Sequence, residues 1–238
     1  MTAPRNAPPD GEHLGRFDLE GFIYAVATAQ PLPAGGAVAA LVGALAAALA
    51  EMCAGLTARQ PGYAAAEAEM RAIARQAAQW RAALLRAIDE DMAAYRQYMA
   101  ARRLPVDTTA QRQQRRKALQ RATRAATLAP LNVAQLATEV LDFLATVAER
   151  GVPNVVGDAA MGAHLAEAVV RGSVLNARLN LRGYTNARER DELLRHADQL
   201  VAGAERTRGA IVQRAMAFAE PADAERAMER QDTREATS

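Results

Sequence analysis

The sequence predicts an all-α protein, an elongated antiparallel helical bundle, on three observations. The apolar half of the chain is almost entirely Ala, Leu and Val, with aromatics at only 4%. Ala is the strongest helix former, and its small side chain lets helices approach closely. Apolar residues recur at spacings of three and four, and no stretch alternates in the β manner. Breaks are few and carry Pro or Gly, so the segments between them are long. At 238 residues the chain is long enough to bury a substantial core in one large domain or two small ones, and one helical domain over 16–219 is the expectation.

Residues 1–15 are rich in Pro and polar side chains and read as a disordered arm. Residues 17–29 read as a short helix, with Leu19, Phe22, Ile23 and Val26 in one stripe. Pro31 to Gly36, PLPAGG, reads as a loop, and 38–57 as a long apolar helix whose small residues (Gly43, Ala47, Ala50, Ala54) share a face. Pro61 and Gly62 break the chain; a very long helix then runs over 64–102 until Leu104-Pro105. A basic helix over 108–129 is expected to end or kink at Pro130, because proline lacks the N–H an inner helical turn requires. An amphipathic helix follows over 131–150, then the turn GVPN (151–154). The next helix is expected over 158–181 with Asp158 as N-cap, and the last over 188–219 after the loop Gly183–Asn186. The tail, 220–238, is charged and reads as flexible.

Composition excludes several classes. All but one of the 29 basic residues are Arg, the exception being Lys117, and the net charge is only +2, so no global field points to nucleic acid. The single cysteine, Cys53, forbids an intrachain disulfide, suits a reducing cytoplasm and reads as a small core residue. The apolar stretch 21–50 is interrupted by PLPAGG, leaving pieces too short to span a bilayer, so no membrane span is expected. Three histidines, none at ligand spacing to another His or to Cys53, predict no metal site. Arg102, Arg103, Arg112, Arg115, Arg116, Lys117, Arg121 and Arg124 form a basic region without interleaved aromatics. Base stacking is therefore unsupported, and a solvated face or a polycarboxylate contact remains open.

Several residues stand out as chemistry-bearing. Gly35 and Gly36 precede a helix with no side-chain cap, where bare N–H groups favour an anion. Asp91 falls on the apolar stripe of Leu84, Ile88 and Tyr95, and a carboxylate so placed can carry a raised pKa and move protons. Asn176 and Asn180 share a face, with Arg178 roughly opposite, inside the otherwise apolar stretch 151–181. Buried amides and charges need partners, protein or ligand.

Taken in order, these residues resemble the cyclodeaminase/cyclohydrolase family. The resemblance covers about 17–215 and rests on Pro31–Ala37 for its PxPGGGS loop, Leu56-Thr57, and Asp91, Ala94 and Tyr95 for D-x-x-A-[FY]. It continues with Leu104-Pro105, with Thr127, Pro130 and Leu131, with Gly151–Asn154 leading to Asp158-Ala159, and with Asn176–Leu181 for NVRINL. Ala37 and Gly157 stand where the family has serines, and Arg59–Tyr63 replaces a lysine-rich turn of which only the Tyr remains. The resemblance implies a helical homodimer acting on a tetrahydrofolate derivative at the N5/N10 bridge carbon, as cyclohydrolase or cyclodeaminase, with no permanently bound cofactor. It implies Asp91 and Asp158 as catalytic residues. It further implies Gly35, Gly36, Tyr63, Tyr95, Asn154, Asn176, Arg178 and Asn180 as substrate contacts. The alternative is an impaired or repurposed homologue that binds a folate-like ligand or a protein partner.

Overall fold

The computed structural model describes residues 18–220. The expected N-terminal arm (1–15) and most of the expected tail (220–238) lie outside the described residues. Six α-helices follow in order: α1 Leu19–Ala27, α2 Gly35–Thr57, α3 Ala64–Arg102, α4 Thr109–Arg150, α5 Val156–Leu181 and α6 Ala187–Ala219, with one 3-10 turn at Pro153–Val155. No strand occurs among the described residues, so the all-α expectation holds. At 1.5 Å rise per residue, α3 and α4 are each roughly 60 Å long, which makes the bundle elongated.

The helix starts explain themselves locally. Asp18 caps α1, its Oδ1 accepting from the Gly21 N–H at 2.7 Å. Thr108 and Gln111 form a capping box on α4, and Asn186 accepts from the Glu189 N–H at the start of α6. α2 has no such side chain: Ala34 precedes it and its first N–H groups have no cap of their own. Gly62, in the left-handed region at φ 81°, makes the turn from α2 to α3, a conformation that costs glycine least.

Three expectations need correction. Gly35 and Gly36 are not loop residues but the first turn of α2. α4 does not end at Pro130 and no new helix starts there; it runs through as one helix. The proline leaves the Ala126 carbonyl without its N–H partner, and the Asn180 Nδ2 donates to that oxygen at 2.7 Å instead. Asp158 is not an N-cap: Pro153–Val155 begin the turn earlier, Val155 takes the cap position, and Asp158 sits in the first turn of α5. There its charge still suits the positive helix end.

The core lies where α2 and α5 pack on α3 and α4, with α6 against α4 and α5. Its lining is mostly small: Ala37, Ala40, Ala46, Ala47, Ala50 and Ala54 of α2 are fully buried. Two glycines mark the tightest crossings. A Cβ on Gly43 would stand 3.1 Å from Leu84 Cδ2, and one on Gly162 would stand 3.0 Å from Leu144 Cδ2 and 3.5 Å from Leu49 Cβ. Thr57 joins the far end of α2 to the GVPN turn: its hydroxyl donates to the Cys53 carbonyl and accepts from the Val152 N–H at 3.2 Å. Arg214 of α6 donates to the carbonyls of Ala148 and Glu149, closing the C-terminal end of α4. α2 and α4 are long and apolar enough to cross a membrane by composition, but half or more of each such stretch is buried inside the bundle.

Leu144 is fully buried beneath Gly162. Leu144→Ala is expected to lower unfolding stability by about 2–5 kcal/mol, read from denaturant midpoints. Met216→Ala, at a position 63% exposed, should stay within about 0.5 kcal/mol of the parent.

Candidate functional site

Asp91 reaches from α3 to the uncapped start of α2. Its carboxylate accepts a hydrogen bond from the Ala37 backbone N–H and lies directly on Gly36, where a Cβ would collide with both carboxylate oxygens. Glycine at position 36 thus permits this contact by close approach rather than by backbone angle, and a larger residue would displace the carboxylate. The arrangement supplies to α2, from another helix, the anion its N-terminus lacks. Burial pushes the Asp91 carboxyl above its ordinary value, and the Ala37 N–H opposes that rise in part. A carboxylate whose proton affinity is raised in this way is a better proton acceptor than a solvated one.

Around it opens a cavity of about 430 Å³. α2 contributes Gly35 and Gly36; α3 contributes Asp91, Ala94, Tyr95 and Tyr98. The wall from α4 is Thr123, Ala126 and Pro130, and α5 adds Asn176, Leu179 and Asn180, with Arg182 and Gly183 beyond its end. Asn176 approaches the glycines: its Nδ2 lies 3.9 Å from where a Cβ on Gly35 would be. The 182–186 loop is moored to α4 by Gln120 donating to Thr185 at 3.0 Å, and the start of α6 beyond it by the Arg124–Glu189 ion pair at 2.8 Å.

Of the ten expected site residues, six meet here: Gly35, Gly36, Asp91, Tyr95, Asn176 and Asn180. Four do not line this cavity. Tyr63 precedes α3 and Asn154 and Asp158 flank the start of α5, all at the end of the bundle where Thr57 holds the GVPN turn. From Gly36 to Thr57 is a helix length of about 30 Å, so these three lie far from Asp91 within one chain. Arg178 turns to α6 and pairs with Asp198. The structure also adds residues the sequence reading passed over. Tyr98 continues the stripe of Asp91, Ala94 and Tyr95 by one turn and was findable by extending it. Thr123, Arg182 and Gly183 belong to other elements and gave no periodic signal.

Cys53 is buried, with its Sγ 3.8 Å from the Val155 carbonyl oxygen. Burial first, and the negative charge of Asp158 second, push its thiol up to about 12. It is a core residue in this state, with almost no thiolate at neutral pH. Among the described residues no cluster of His, Cys, Asp and Glu could hold a metal ion.

An uncapped helix start holding a half-buried carboxylate beside two amides makes this cavity the candidate site of an all-helical protein. Comparison with known proteins gives this class its family. The formiminotransferase-cyclodeaminase family profile matches residues 18–199, and the chain belongs to that family. It is 32% identical over 190 residues to methenyltetrahydrofolate cyclohydrolase of Methylorubrum extorquens, covering 80% of this chain and 91% of that protein. It is 30% identical over 181 residues to formimidoyltransferase-cyclodeaminase of Mus musculus, covering 75% of this chain but 34% of that longer protein. The solved structure of formiminotetrahydrofolate cyclodeaminase from Thermotoga maritima superposes with a TM-score of 0.78 at 28% identity, covering 85% of this chain and 98% of that one.

Because its folded pKa is raised, Asp91 costs stability once ionised. The cost is absent below the unfolded value near 3.8 and grows as pH rises through the folded value. Asp91→Asn should therefore melt higher than the parent at pH 7, with the difference vanishing below about pH 4. Thermal melts across that range check the sign. Gly36→Ala should keep the helical content and displace the carboxylate, which ligand titration would register as lost affinity.

Proposed function

We propose that this protein is a methenyltetrahydrofolate cyclohydrolase, adding water at the bridge carbon between N5 and N10. The carrying observation is the Asp91 carboxylate, half-buried on the bare end of α2 inside the cavity. The likeness over 91% of the Methylorubrum extorquens cyclohydrolase supports the same reading. A methenyl bridge is cationic, so an adjacent carboxylate attracts it and can also take a proton from the attacking water. The water oxygen bonds to the bridge carbon and one water proton passes to Asp91. The carbon–N5 bond then breaks, Asp91 returns that proton to N5, and the hydroxyl proton leaves to solvent as the formyl group forms on N10. One water is consumed and one proton released, which balances the lost cationic charge. Gly35 and Gly36 line the approach, and Asn176 and Asn180 face the pterin. Loss of ammonia from a formimino group would use the same carboxylate as acid, and the relation to cyclodeaminases supports that second reading.

The glutamyl end of the substrate extends toward a second groove that adjoins the cavity at Thr123 and Gly183 and is lined by Arg112, Arg115 and Arg116. Among the described residues none of these three has an ion-pair partner.

A second copy completes the reading. Leu45, Met52 and Leu56 of α2 and Met161, Leu175 and Leu179 of α5 are each 41–59% exposed on two adjoining helices, a contiguous apolar face of the kind that marks an interface. Packing two copies through this face about a two-fold axis that lies in the interface, perpendicular to α5, sets α5 antiparallel to its mate. The Asn154 and Asp158 end of one copy then meets the Asp91 end of the other, bringing an acidic residue toward Arg182.

Asp91→Asn is expected to reduce turnover of methenyltetrahydrofolate by about 10²–10⁴-fold, followed as decay of the methenyl chromophore. Wild-type decay no faster than buffer would end the cyclohydrolase reading. Arg116→Glu should raise KM for a polyglutamylated substrate about three- to five-fold, as a surface ion pair of about 1 kcal/mol would, with the effect shrinking at high salt. For the dimer, Asp91→Asn and Asp158→Ala chains are each expected to be strongly impaired alone. Unfolded together and refolded, random pairing should restore about a quarter of wild-type activity, since half the pairs are mixed and each carries one intact site. No recovery on mixing would exclude a shared site.

A further inference from the structure

Pro130 lies in α4 where an ordinary residue would donate its N–H to the Ala126 carbonyl, four residues back. That carbonyl is instead the acceptor for Asn180 Nδ2 at 2.7 Å, across to α5. A carbonyl can only accept, so the amide must present its NH₂ side to Ala126 and turn Oδ1 away. Among the described residues no donor holds that Oδ1, and Ala126, Pro130 and Asn180 all line the cavity beside Asp91. The side chain of Asn176, one turn earlier on the same face, has no hydrogen bond to any described residue and can present either side of its amide. The two asparagines therefore differ: one adapts and the other is set.

We propose that Pro130 is a positioning residue for ligand recognition. By withholding an N–H from Ala126 it fixes the Asn180 amide, so that Oδ1 faces the ligand as an acceptor and selects a ring edge carrying N–H donors. This deepens the folate reading and rests on it, because the reduced pterin offers such an edge in its adjacent 2-amino and N3–H groups. The proline is retained inside a 42-residue helix as the device that opens one carbonyl at one place. Pro130, which the sequence marks only as part of a motif, thereby gains a reason: the helix must lose one bond at the cavity wall.

The test is a pair of substitutions measured singly and together. Pro130→Ala restores the N–H, pairs it with Ala126 and releases the Asn180 amide. Steady-state kinetics with methenyltetrahydrofolate should then show a KM about ten-fold higher, the change falling mainly on KM rather than kcat. Asn180→Asp keeps an acceptor toward the ligand but sets a carboxylate oxygen against the Ala126 carbonyl, so it should weaken binding strongly in the parent. In the Pro130→Ala background that carbonyl is already satisfied, and Asn180→Asp should cost several-fold less there. This rescue is one that a merely structural proline would not produce. Unchanged KM in Pro130→Ala, or an equal cost of Asn180→Asp in both backgrounds, overturns the proposal. The side-chain amide protons of Asn180 give a readout independent of substrate: they should exchange slowly in the parent and fast in Pro130→Ala. If the parent shows that protection but neither binds nor turns over any folate, the folate reading is what has failed. If folate is turned over and the protection is absent, the positioning proposal is what has failed.

Discussion

The contact between the Asp91 carboxylate and the start of α2 is the constraint around which the rest is arranged. A helix of 23 residues begins with no side chain of its own to satisfy its first N–H groups, and the missing anion comes from α3. That contact is seated where position 36 has no side chain, and it goes with a close crossing of α2 on α3, which the alanine face and Gly43 permit. It also leaves the carboxylate partly desolvated at a cavity, with its proton affinity raised. Structural role and chemical role thus coincide in one group: the charge that completes the helix end is the charge placed to move protons.

Much of the fold was legible because its signals are local. α3 was bracketed by Pro61-Gly62 and Leu104-Pro105 and spans Ala64–Arg102 as read. Pro130 was misread because the rule about proline in helices is also local, while the donor that offsets it, Asn180, is 54 residues away in sequence. Asp158 had good cap chemistry, but the 3-10 turn ahead of it moved the helix start and left the side chain inside the first turn. At the site, periodicity identified Asp91 and Tyr95 as sharing a stripe. Thr123 and Arg182 come from α4 and the end of α5 and meet the cavity only through packing.

The ten residues taken from the motifs divide according to position along the rods. Motif order records that Asn154, Asp158, Asn176 and Asn180 belong to one segment, but that segment is a 3-10 turn followed by a helix of 26 residues, about 39 Å long. Its two ends serve different places in a single chain, and only symmetry between chains can bring them together. An all-helical scaffold of this length makes such a division the ordinary outcome, since residues twenty apart on a helix are about 30 Å apart.

Cys53 gives the molecule one more property. It is the chain's single cysteine, it is inaccessible, and its thiol is held near 12 at the joint between α2 and the GVPN turn. Reagents that need a thiolate meet none in the closed molecule and find an ordinary thiol once that joint opens. The protein therefore carries its own chemical clock for opening at the end opposite Asp91, readable without adding any label to the sequence.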